Sequence, residues 1–134
     1  MEIYGHCALV FIGDSLNFDE IEHKLNLKAS ETFRKGEIYS KFIGENPNNV
    51  FIIKQELSST VSLDKAINIL TKQITDFQII RDLAKKHDVK MRCFVQSDSA
   101  QIDVCIYPET LEKLNCLGVV LEISILSWGK VIND

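Results

Sequence analysis

The sequence predicts an α+β domain, a mostly antiparallel sheet with helices on one face, built as a ferredoxin-like β-α-β-β-α-β core preceded by a β-α unit. Three observations carry that prediction. Apolar runs of strand length alternate with runs whose apolar residues recur at spacings of three and four. Polar links between several strand-like runs imply hairpins, and hairpins force antiparallel pairing. The order of elements from Val50 to Trp128 reads β-α-β-β-α-β. A chain of 134 residues, 46% hydrophobic and 25% charged, is long enough to bury one core, so a single domain over residues 1–134 is expected.

The run IYGHCALVFI from Ile3 to Ile12 is apolar at both alternating positions, the pattern of a strand covered on one face and partly protected on the other. It is the expected central strand. Gly13-Asp14 breaks it, with Gly13 expected to turn through a positive φ and Asp14 to cap the turn. Asn17, followed three residues later by Glu20, opens a short helix whose apolar face is Phe18, Ile21 and Leu25. A short alternating piece, Glu37 to Ile43, reads as an edge strand. Asn46-Pro47-Asn48-Asn49 is a turn, and Val50 to Leu57 is the next strand, which suggests a hairpin.

Ser62 caps a long helix whose stripe runs Leu63, Ala66, Ile67, Leu70, Ile74, Phe77 and Ala84. Val89 to Val95 and Gln101 to Tyr107 each alternate, and the polar link between them predicts a second hairpin. Pro108 is placed as the first residue of a third helix that stops at Gly118. In the last strand Leu121, Ile123 and Ile125 face one way, with Glu122, Ser124, Leu126 and Trp128 opposite.

The balance of 15 Lys+Arg against 19 Asp+Glu gives a net charge of -4, which disfavours nucleic acid and suits a basic protein partner. No apolar run reaches the length of a membrane span, and the first residues lack the basic and apolar regions of a secretory signal. Four separated cysteines, Cys7, Cys93, Cys105 and Cys116, with no CxxC pair read as reduced core thiols. A cytoplasmic protein with no membrane association is expected.

The stretch FIGDSLNFDEIEHKLNLKASETFRKGE, through Gly13, Asp14, Leu16, Glu20, Ile21, Leu25, Lys35, Gly36 and Glu37, resembles the bacterial "domain of unknown function 4279" family. Ser58-Ser59 before a long helix, and a Pro-Glu-x-Leu helix before the final strand, are similar in kind. The chain departs from the family's pattern at Ala29, where a Pro is expected, and at Phe51, where Trp is frequent. The resemblance implies a small single-domain protein with no established activity.

Catalysis needs a convergent set of groups, and the candidates are thin. His6 and Cys7 are strand neighbours and point to opposite faces, so they form no nucleophile pair. No HxH, HExxH or paired-Cys spacing supports a metal, and no glycine-rich motif supports a nucleotide, so no cofactor and no catalytic residue is assigned. The basic set Arg81, Lys85, Lys86, Lys90 and Arg92 reads as solvated surface.

Two roles remain. One is a protein-binding module, with a toxin-neutralising immunity protein as its concrete form: Asp19, Glu20 and Glu22 on the first helix would face a basic toxin, and Trp128 on the partly polar sheet face would serve as an anchor. The other is a small-ligand or anion-binding sensor or enzyme built on Asp14, Arg34, Lys35 and Glu37, where a glycine turn exposes N–H groups beside cations. A homo-oligomer through a sheet edge or face is a further expectation, with Glu37 to Ile43 as the suspected edge.

Overall fold

The structure is a computed structural model and describes residues 3–40, 44–45 and 47–130. Its elements follow in the order β1 (Ile3–Gly13), α1 (Phe18–Leu25), β2 (Glu31–Phe33), β3 (Ile38–Ser40), β4 (Gly44–Glu45), β5 (Asn49–Glu56), α2 (Leu63–Lys72), α3 (Phe77–Lys86), β6 (Asp88–Ser99), α4 (Pro108–Leu117) and β7 (Val120–Lys130). Five strands form one sheet in the order β2-β5-β1-β6-β7, while β3 and β4 pair separately.

As its two-sided apolar pattern demands, β1 is the middle strand. It pairs antiparallel with β5 on one side and with β6 on the other. Alternation then sorts the side chains. Cys7, Leu9 and Phe11 of β1, Phe51 and Ile53 of β5, and Met91, Cys93 and Val95 of β6 point to one face and are buried there under the helices. From α1 come Phe18, Ile21 and Leu25, and from α2 come Leu63, Ala66, Ile67 and Leu70; Ile80, Leu83, Leu114 and Leu117 complete the same core. The Phe11 and Phe51 rings meet edge to face at 5.6 Å, an arrangement aromatic quadrupoles favour.

Helix limits follow local chemistry. Asn17 Oδ1 accepts the Glu20 N–H at 3.1 Å and Ser62 Oγ the Lys65 N–H at 3.2 Å, as the capping patterns predict. Pro108 occupies the first turn of α4, and Gly118 ends it at φ 69. The expected single helix from Ser62 through Ala84 is two helices. Thr71 Oγ1 bonds back to the Ile67 carbonyl at 2.9 Å, and Asp76 Oδ1 caps a new start by accepting the Gln78 N–H at 2.9 Å.

The sheet is mixed rather than mostly antiparallel. β6 and β7 run parallel, from Lys90↔Val120 to Ser97↔Ser127. The cause is the segment 101–107, which alternates as a strand does but pairs with nothing in the sheet. Ile102, Val104 and Ile106 pack against the core as plain extended chain, so β6, this segment, α4 and β7 form one crossover instead of a hairpin followed by a further strand. One strand of the ferredoxin-like order is therefore missing between Val50 and Trp128.

Two further expectations change. β2, from Glu31 to Phe33, pairs with β5 and makes one edge of the main sheet; the piece expected as that edge supplies β3, paired with β4, while 41–43 lie outside the described residues. Gly13 does not take a positive φ. It is small because a Cβ there would stand 2.6 Å from His87 Nδ1. The strand position that does require glycine is Gly5, at φ +132, where a Cβ would fall 1.8 Å from the Phe94 carbonyl oxygen.

Candidate functional site

The residues singled out in the sequence fall into two places. Asp14, Asp19, Arg34, Lys35 and Glu37 gather where β1 ends, α1 begins and β2 runs out. Trp128 lies on β7, the opposite edge of the sheet.

At the corner, Lys35 Nζ reaches Asp14 Oδ1 at 3.9 Å with both side chains well exposed, a pair worth little in water. The Arg34 guanidinium lies 5.1 Å from the Phe18 ring centroid, a cation-π contact that ties it to α1. Glu37 is exposed, and its N–H closes the turn on the Arg34 carbonyl at 3.1 Å through Gly36 at φ 90.

The organiser is a residue the sequence reading passed over. Asn49 Oδ1 accepts the Lys35 N–H at 2.7 Å, while Asn49 Nδ2 donates to the Leu16 carbonyl at 3.1 Å and lies 3.5 Å from that of Asp14. The amide an anion would use at Lys35 is thus already committed. The Asn46 to Asn49 turn signal was visible, but a local turn says nothing about partners more than thirty residues away.

The carboxylates of α1 are largely occupied. Glu20 pairs with Lys24 at 2.8 Å, and that lysine holds its carboxyl below the usual range. Glu22 Oε2 accepts the Ala29 N–H at 3.3 Å and so fixes the chain leaving the helix. Asp19 alone of the three has no hydrogen-bond or ion-pair partner among the described residues; it borders a hollow with Ser15, Arg34 and Asn49.

The face of the sheet away from the helices carries a trough of about 470 Å³ lined by His6, Val10, Phe33, Val50, Ile52 and Lys54. Burial, and then Lys54, hold His6 below the ordinary imidazole value against the opposing pull of Glu56 and Glu31, so its ring is neutral at pH 7. Of the basic set, Arg92 Nε bonds Glu122 Oε1 at 2.9 Å, Lys90 meets Asp88 at 3.5 Å, and Arg81 is spent on Gln78 and the Cys116 carbonyl. Of the four cysteines expected in the core, Cys105 and Cys116 are exposed; Cys7 and Cys93 are buried and face each other across the β1–β6 pair as free thiols, and burial pushes both up to about 12, which keeps them unreactive near neutrality.

At the far edge the chemistry is apolar. Val120, Ile123, Ile125, Leu126 and Trp128 of β7 are between 37% and 66% exposed. Ile123 and Ile125 stand on the helix side, beyond the reach of the helices, while Leu126 and Trp128 stand on the other side. The β6–β7 ladder slips by a residue just after Ser127, at Trp128 and Gly129.

Among the described residues, four helices on one face of a five-stranded mixed sheet, with a clamped polar corner at one edge and an apolar strand at the other, define an α+β fold whose distinctive chemistry is at its rims. A family model described as a domain of unknown function (DUF4279) matches residues 1–128, and the chain belongs to that family. No curated protein and no solved structure gives a match. No helix is long and apolar enough to cross a membrane, and no cluster of three or more His, Cys, Asp or Glu side chains fit to hold a metal occurs among the described residues.

Proposed function

We propose that this protein is a protein-binding module in which β7 is a contact strand. The observation that carries the reading is the row of five exposed large apolar side chains on one edge strand, among them Trp128, the residue type most enriched where binding energy concentrates. A toxin-neutralising immunity protein of the cytoplasm is the concrete form proposed. The net charge of -4 supports it by favouring approach to a basic partner, although the local commitments of Glu20 and Glu22 leave Asp19 as the freest carboxylate of α1 for that steering.

The test is co-purification of the tagged protein with the products of neighbouring genes, wild type beside Ile125→Lys. Ile125 is exposed, so the charge leaves the core intact. A stoichiometric partner held by wild type and lost from the variant is the expected result. A partner held equally by both would move the contact away from β7, with the corner of Asp14, Arg34 and Lys35 as the next place to mutate.

A further inference from the structure

An edge strand presents unpaired N–H and C=O groups, and folded proteins ordinarily blunt such edges with Lys, Pro, inward charges or very short strands. β2, at one edge of the sheet, has three residues. β7, at the other, has eleven, and no Lys, Arg, Asp or Pro stands between Val120 and Gly129. Its one charged side chain there, Glu122, is neutralised by Arg92 on the neighbouring strand at 2.9 Å. β7 rests almost wholly on β6, and among the described residues no strand lies on its outer side.

Resting on the reading of β7 as a contact strand, we infer that the chain lying on β7 is a second copy of this one, its β7 added antiparallel across a two-fold axis to join two five-stranded sheets into one, so that a toxin meets the dimer rather than the bare strand. Self-pairing is selective about register. In a two-fold antiparallel pair perpendicular to the sheet, one residue must face its own image, and the residues at equal distances on either side of it face each other on the same face. Centring on Glu122 sets two carboxylates opposite one another, which costs stability. Centring on Ile123 pairs a shorter length of strand and leaves Trp128 past the end of its partner. With Ser124 at the centre, Ile123 faces Ile125 twice on the helix side, Val120 faces Trp128 twice on the other, and Glu122 faces Leu126 rather than another charge. Four of the five exposed apolar residues of each copy then cover one another.

The experiment uses the purified full chain alone. Light scattering after size exclusion, at about 1 to 100 μM, should give a mass twice that of the chain at the upper end. Ile125→Lys should return it to one chain, with an unchanged circular dichroism spectrum. In a background of Cys105→Ser and Cys116→Ser, which removes the two exposed thiols, Ser124→Cys should form an intermolecular disulfide under mild oxidation and Ser127→Cys should not. Facing Cα atoms of such a pair stand about 4.5 to 5.5 Å apart, within disulfide reach. A monomer throughout the range, or a dimer untouched by Ile125→Lys and not crosslinked through residue 124, overturns the inference. A monomer that loses a different protein when Ile125 is charged overturns it too, yet leaves the protein-binding reading standing; a monomer whose co-purifying partner ignores the substitution removes both.

Discussion

Asn49 shows how a single amide can organise a corner that no sequence motif describes. Its two ends hold the Lys35 amide and the Leu16 carbonyl, joining the end of β2 to the entry of α1. Replacing it with Ala leaves these backbone groups to water at a half-buried position, and about 1 to 2 kcal/mol of stability should be lost. Asn49→Asp keeps the acceptor and loses the donor, so it should fall between. Urea unfolding monitored by fluorescence reads both, and an unchanged midpoint in Asn49→Ala would show the clamp contributes nothing. The Gly13-Asp14 and Lys35-Gly36-Glu37 signatures were legible because their residue types are conspicuous. The clamp between them was not, since a side chain's distant partner leaves no trace in local spacing.

The elements teach a similar lesson about what alternation reports. Ile102, Val104 and Ile106 are half-buried and their neighbours exposed, so the pattern of 101–107 records burial correctly; the absence of a ladder has no signature in it. Likewise the apolar stripe continues from Leu70 through Ile74 and Phe77 to Ile80 across the break between α2 and α3, because both helices face the same core. What divides them is Asp76, whose carboxylate serves the start of α3. Asp76→Ala should therefore cost about 1 kcal/mol, the usual worth of an N-cap, seen as a lower melting temperature with little change in helix content. Asp76→Asn, which caps equally well, should restore it. β2 went unread for a simpler reason: three residues carry no period, and only β5 beside them makes them a strand.

At the scale of the molecule, one layer of helices over one sheet was legible, as were the two strands that dominate the core. The direction of β7 was not, since parallel pairing is set by a crossover rather than by any residue of the strand. β1 is paired along nearly its whole length on both sides, and Cys7 through Phe11 are buried. Amide exchange should be slowest there and clearly faster in β2, which is short and paired on one side. Hydrogen exchange followed by mass spectrometry checks the order; a β2 as protected as β1 would contradict it.

The central place of β1 also has a history in time. It precedes both of its partners in synthesis: β5 begins only at Asn49 and β6 only at Asp88. A nascent chain therefore carries its most apolar strand with one edge open until β6 arrives, and the long loops that must close before both edges are satisfied make assembly slow. Truncation before Asp88 leaves that edge bare. Such fragments are the form of this protein expected to aggregate and to call on chaperones.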